Sequence, residues 1–442
     1  MVEHLASFTA RSRFEDLDQQ AVAKTEHAIL DTLASLIGGV PTDNATKSRA
    51  AARATFGDGS APVWFTQTCR LHPIGALFAN CAAASALDVD DGHCLAAGHP
   101  GAAIVPAVLA EALASGRDGK AILAASAIGY DIALRIAAAR IFTDTMSFAS
   151  GQWTGFGVAA AIGWLRSLPE NNLAHAIAIA GAEAPVNLPQ GDCQASSVKG
   201  SSPWSTVAAS FAVDRAASGM SGSLDMLDRP HAYRVPGITQ GLGQRWLVSE
   251  TYLKPYASCR YTHPVIDAVL KLRTEIGDAS TIERFSVELF SEGRKLPNEI
   301  APKSLEGAQF SVPFTAALAA LRGASAFRPL RPESLADADV LRLAEKVSIT
   351  YPEEFAGIFP RRTPARVTIM VRGRSFIADV PLPLGDASHP LDESALVAKL
   401  VDLADGILSV SECDRLVEAV FALSTGRSGP LLSMLQAHRV GV

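Results

Sequence analysis

Three carboxylates and two imidazoles fall within a dozen residues, in Asp88-Val89-Asp90-Asp91-Gly92-His93 followed by Gly98-His99-Pro100-Gly101. Side chains grouped this densely can hold a divalent cation, or tune one another's proton affinity for general acid/base work. The same residues also suit a solvated loop whose aspartates cap a helix beginning near Pro100. Proton chemistry is favoured over a metal, because no second cluster of ligands elsewhere in the chain completes a site.

Lys199 ends a run of small and polar residues, 191–202, that leads into a helical pattern from Pro203. Beside a helix N-terminus a lysine can bind a carboxylate or act as a base, although a surface lysine is the competing reading. His263 closes the segment Lys254-Pro-Tyr-Ala-Ser-Cys-Arg-Tyr-Thr-His, and a lone histidine is more often structural. Arg135 and Arg260 suit bidentate binding of substrate carboxylates, or else answer a buried acid such as Asp131. Phosphate-binding loops, a G-x-G-x-x-G opening a βαβ unit, H-E-x-x-H and G-x-S-x-G are all missing, so no nucleotide cofactor is expected.

These residues must be carried by helices. Ile29, Leu33, Leu36 and Ile37 recur at helical spacing and stop at Gly38-Gly39. Similar patterns span 74–87, 105–114, 121–141, 155–168, 173–182 and 206–217. After residue 276 the period changes: Phe285, Val287 and Leu289 alternate with polar residues, as do Val367, Ile369 and Val371. A strand is expected at 347–351, and Arg372-Gly373-Arg374 reads as a turn into another over 375–380. The expected fold is mainly α: a large all-helical domain over 1–276, a smaller α+β lid domain over 277–385, and C-terminal helices over 386–442 returning to the first domain.

The composition agrees, since 48% of the 442 residues are hydrophobic but only 7% aromatic, a balance set by Ala, Leu, Val and Ile in close-packed helices. The 121–141 stretch is interrupted by Asp131 and Arg135 and reads as a buried helix, so no membrane association is expected. A net charge of −6 without a Lys/Arg cluster gives no footprint for nucleic acid. The N-terminus has no basic start followed by an apolar core, which makes a cytoplasmic location the expectation. Six cysteines, Cys69, Cys81, Cys94, Cys193, Cys259 and Cys413, form no C-x-x-C pair and are expected to be reduced.

Together these segments resemble the MmgE/PrpD family, which includes 2-methylcitrate dehydratases, cis-aconitate decarboxylases and iminodisuccinate epimerases. Leu87 to His93, with His99-Pro100-Gly101 and Val105-Pro106-Ala107, is similar to the family's Asp-(Phe/Tyr)-Asp-Asp-Thr-His … His-Pro-(Ser/Gly) … Pro-Ala motif. Gly129-Tyr-Asp with Arg135, the Lys199 loop, Lys254 … Cys259 … His263 with Asp267-Ala268, and Gln309-Phe-Ser-Val-Pro313 follow in the family's order. The resemblance implies a homodimer with a metal- and cofactor-free site between the two domains. It also implies a small di- or tricarboxylate substrate and chemistry by proton transfer next to a carboxylate. The family's catalytic positions fall on Asp88, His99, Lys199 and His263, with His93, Asp91, Arg135, Ser150 and Arg260 as expected substrate contacts. A lyase, either dehydratase or decarboxylase, is the expected activity. A dicarboxylate epimerase and a catalytically silent carboxylate-binding homologue are the alternatives. Four departures, Gly92, Phe148, Ser202 and Phe314, stand where relatives commonly have polar side chains, and they imply a less polar pocket.

Overall fold

In the computed structural model, which describes residues 1–142, 148–185 and 195–437, the chain is mainly α-helical with a small sheet towards its C-terminal end. Ser147, Gly191 and Cys193 lie outside the described residues. Cys69, Cys81, Cys94 and Cys259 are free thiols.

Helices Gln19–Gly39, Pro73–Ser85, Gly101–Ser115, Gly119–Ala139, Gly151–Leu165, Glu170–Ala182 and Ser202–Ala217 build the first part. Their starts follow local chemistry: Asp18 and Asp118 cap their helices by accepting the amides of Ala21 and Ala121. Gly119–Ala139 is long and apolar enough to cross a membrane, but it is buried among the other helices, as the sequence pattern required. Small residues bring the helices close. A Cβ at Gly157 would lie 2.2 Å from the Gly129 carbonyl oxygen, so Gly129–Gly157 is a point of direct backbone packing.

Helix Asp43–Phe56 and two further features of this part go beyond the elements expected from sequence. A helix spans Val2–Arg11, and the region is not all-helical, because Asp58–Pro62 pairs antiparallel with Arg70–Leu71. Only Leu71 of that hairpin's second strand is fully buried, which leaves too short an apolar alternation to show in the sequence.

The sheet has the order Val347–Thr350, Ile282–Leu289, Ala365–Val371, Arg374–Val380. The first pair is parallel and the other two antiparallel. Arg372 and Gly373 both have positive φ, 49° and 72°, the geometry that turns a tight hairpin with the correct twist. Phe285, Val287 and Leu289 are buried, and the sheet packs against helix His263–Ile276 at strands Ala365–Val371 and Arg374–Val380 and against helix Val312–Arg322 at strand Val347–Thr350.

After the sheet, helix Glu393–Leu403 packs back on Gln19–Gly39. Lys399 does so with no exposed surface, its Nζ 2.5 Å from Asp31 Oδ1 and 2.7 Å from the Val89 carbonyl. Burial works against the charge on both partners, raising the Asp31 carboxyl and lowering the Lys399 amine. The contact is therefore held by having both groups present. Lys399→Met, which strands Asp31, is expected to cost about 3–5 kcal/mol in urea unfolding. The double variant Asp31→Leu/Lys399→Met should recover part of that loss, and a double variant no more stable than the single one would contradict the pairing.

Candidate active site

The loop after helix Pro73–Ser85 begins at Asp88, whose φ of 52° turns the chain sharply and aims its carboxylate inward. Both halves of the loop are tied down by buried cations. Lys399 holds the Val89 carbonyl, and Arg140 Nη2 donates to the Ala96 carbonyl at 2.7 Å. Gly92 forms a backbone bridge with Tyr252, and His93 one with Gly98. Asp91 ends the loop: its Oδ1 accepts the Gly101 amide at 2.9 Å, and its Oδ2 accepts the Tyr130 hydroxyl at 2.9 Å.

Asp88 is the centre of charge. Its Oδ2 lies 3.1 Å from Lys254 Nζ, and its Oδ1 lies 3.9 Å from Lys199 Nζ and 3.8 Å from His99 Nε2. Burial pushes the carboxyl up, but Lys254, then Lys199 and His99, outweigh it and hold Asp88 well below the usual carboxylate range. His99 Nδ1 sits 2.6 Å from the Asp91 carbonyl oxygen. A carbonyl can only accept, so Nδ1 carries the hydrogen and the neutral ring keeps its lone pair on Nε2, towards Asp88. The backbone amide of His99 donates to Ser150 Oγ at 2.9 Å. Lys199 donates to Gln309 Oε1 at 2.6 Å and lies over the Phe310 ring. Gln309 also donates to the Ala86 carbonyl at 3.3 Å, so the sheet-bearing part positions the lysine against the loop.

These groups open on a cavity of about 420 Å³, walled on one side by the loop and on the other by Lys295, Leu296, Phe310, Phe359 and Pro360. Asp88, His99, Lys199, His93, Ser150 and Arg260, all expected from sequence, line it. Arg260 stacks on the Tyr252 ring at 4.3 Å and donates to Asp386 Oδ2 at 2.9 Å. Among the described residues, no three His, Cys, Asp or Glu side chains converge to hold a metal ion.

Three expected residues are placed elsewhere. Arg135 is buried away from the cavity, with its guanidinium committed to Asp131 Oδ2 at 2.6 Å and to the carbonyls of Gln240, Gly241 and Arg245. It answers a buried acid and clamps a loop, which corrects its expected contact with substrate. Asp91 is corrected likewise. It serves as the helix cap described above, and burial first, then Asp31 and Asp90, raise its carboxyl well above the usual range. His263 starts helix His263–Ile276 behind the wall, fully buried, with Nε2 3.1 Å from the Ser258 carbonyl oxygen.

The departures sort in the same way. A Cβ on Gly92 would meet the Tyr252 hydroxyl at 2.3 Å, so tyrosine fills the space a side chain there would take. Phe148 and Ser202 line the cavity, whereas Phe314 is buried in helix Val312–Arg322 and does not. Lys254, Tyr252, Gln309 and Arg140 shape the site without having been picked out as site residues. Lys254 carried a readable signal, because a charged residue follows Tyr252-Leu253 in an otherwise apolar and aromatic stretch.

The MmgE/PrpD N-terminal domain model matches residues 3–235, and the MmgE/PrpD C-terminal domain model matches residues 256–424. The chain belongs to the MmgE/PrpD family. Among curated MmgE/PrpD relatives, a cis-aconitate decarboxylase of Aspergillus terreus is 24% identical, covering 83% of this chain and 82% of its own length. A cis-aconitate decarboxylase-like protein, oryM, of Aspergillus oryzae is 21% identical, covering 95% of this chain and 94% of its own. The stretch between the two family domains, 236–255, contains Lys254, which forms an ion pair with Asp88.

Burial, then Lys254 and Arg260, hold the His263 imidazole well below its ordinary value of 6.5. Its charge is thus suppressed in the folded state, while the unfolded chain takes up a proton below about pH 6.5. The unfolded state binds more protons there, so this stabilisation is complete above about pH 6.5 and is lost as pH falls further. His263→Gln should flatten the decline in stability below about pH 6.5 by up to ~1.4 kcal/mol per pH unit in urea unfolding. Parallel profiles for variant and parent would contradict this.

Proposed function

We propose that the protein is a cofactor-independent lyase acting on a small carboxylic acid by proton transfer next to a carboxylate. The observation that carries this is the convergence of His99 Nε2 and Lys199 Nζ on one oxygen of Asp88, at 3.8 and 3.9 Å, on the wall of the cavity. Family membership and the names of the distant relatives support a dehydratase or decarboxylase type of chemistry.

In this reading His99 Nε2 takes the proton from the carbon beside the substrate carboxylate. Asp88 stabilises the imidazolium that results, and the Asp91 carbonyl fixes the ring. The electron pair left on carbon delocalises into the carboxylate, where Lys199 and Arg260 offset the growing negative charge. A β-hydroxide leaving with a proton returned by His99 completes a dehydration. In a decarboxylation, loss of CO2 puts the electron pair on carbon, and a cavity acid protonates it. His263 does not line the cavity and bonds the Ser258 carbonyl, so it is given no step in this reading.

The test is NMR of the protein in D2O with cis-aconitate, 2-methylcitrate and a wider set of carboxylic acids. Conversion or deuterium incorporation is expected with at least one acid. His99→Ala and Lys199→Ala should each lower the rate by about a hundredfold or more while leaving the unfolding transition in place. Exchange into none of the acids would overturn the enzyme reading, and full activity in both variants would overturn the site.

A further inference from the structure

The wall of the cavity facing the Asp88 loop is aromatic. Phe148 packs edge-on against Phe359 at 5.6 Å, Tyr261 packs edge-on against Phe359 at 5.5 Å, and Phe290 stacks behind Phe359 at 5.9 Å. Phe148, Phe359 and Tyr261 all line the cavity, and Phe310, Leu296 and Pro297 extend the apolar surface. Edge-to-face contacts hold these rings as a fixed panel, one able to receive a further ring or a branched alkyl group in the same geometry.

The cavity's charges point the same way. Among the described residues, three cations on the wall, Lys199, Arg260 and Lys295, face two carboxylates, Asp88 and Asp90. Behind the wall, Lys254 on Asp88 and Asp386 on Arg260 offset each other. One formal positive charge remains for the ligand. It balances one carboxylate, a protonated His99 would balance a second, and a tricarboxylate would leave at least one more negative charge unanswered in a partly desolvated site. A volume of about 420 Å³ also falls among pockets that enclose drug-sized ligands, about 300–1,000 Å³, so the room exceeds what a compact polar acid fills.

We infer that the substrate is a mono- or dicarboxylic acid bearing an apolar, ring-sized arm, with the carboxylate at Lys199 and Arg260 and the arm against Phe148, Phe359 and Tyr261. Phe148 and Phe359 are then specificity-determining residues. This refines the proposed lyase reading and rests on it for the location of the carboxylate.

The experiment is calorimetric titration of the protein with succinate, phenylsuccinate and tricarballylate. Phenylsuccinate is expected to bind at least about tenfold more tightly than succinate, the return on burying one ring in an aromatic site, and tricarballylate no more tightly than succinate. Phe359→Ala should weaken phenylsuccinate at least about fivefold more than it weakens succinate. Equal binding of succinate and phenylsuccinate, or tightest binding of tricarballylate, would overturn the inference using the unaltered protein alone. The outcomes remain separable from those of the lyase reading. Phenylsuccinate preference without deuterium exchange on any acid would sink the catalytic proposal only, whereas exchange confined to tricarboxylates would sink the arm and leave the catalysis.

Discussion

One buried carboxylate organises this protein. Asp88 brings a negative charge to a place where Lys254 and Lys199 would otherwise repel each other and where the His99 ring also turns, and each of the three comes from a different stretch of chain. Lys254 lies in the stretch between the two family domains, Lys199 just ahead of helix Ser202–Ala217, and His99 at the start of helix Gly101–Ser115. Uncompensated, either lysine would pay several kcal/mol on leaving water. Gathered on one acid, the three side chains are fixed in their relative positions.

The neighbouring acids show how environment sorts identical side chains. Within four residues, Asp88 is held ionised by the cations around it, while Asp91, facing Asp31 and Asp90 and bonded to Tyr130, is pushed towards its neutral form. Further back, Lys399 ties the same loop to Asp31 and to the end of the chain. Helix Glu393–Leu403 thus acts on the cavity through a carbonyl in the loop, although none of its residues lines the cavity.

Much of this was legible in the sequence because periodicity records which face of an element is buried. The Gln19–Gly39 helix and the Phe285, Val287, Leu289 alternation emerge where the pattern puts them, and the dense Asp/His loop does line the cavity. Charges inside helices were harder to read. Lys399 follows Leu396 and precedes Leu400 and Leu403 at i, i+3, i+4 and i+7, so it occupies a core position. That spacing marks it as buried, but nothing local says that its partner is Asp31, more than three hundred residues earlier. Arg135 misled for the complementary reason: its partner Asp131 is one turn away, and a cation beside an acid on a buried helix face is satisfied before any ligand arrives. Asp91 could not be told from Asp88 by spacing, since what separates them is whether the carboxylate meets lysines or a tyrosine hydroxyl and a helix amide.

Gly92 and Tyr252 have a further consequence, for substitution. The Tyr252 hydroxyl lies where a side chain such as threonine at position 92 would begin, 2.3 Å from an added Cβ. The two positions therefore constrain each other. Introducing threonine first drives it into the tyrosine, whereas trimming the tyrosine first removes the platform under Arg260 and opens a void that threonine only partly fills. Neither single step is neutral. Within this fold a side chain at 92 and the tyrosine ring at 252 claim the same space, so the two positions can change only as a pair.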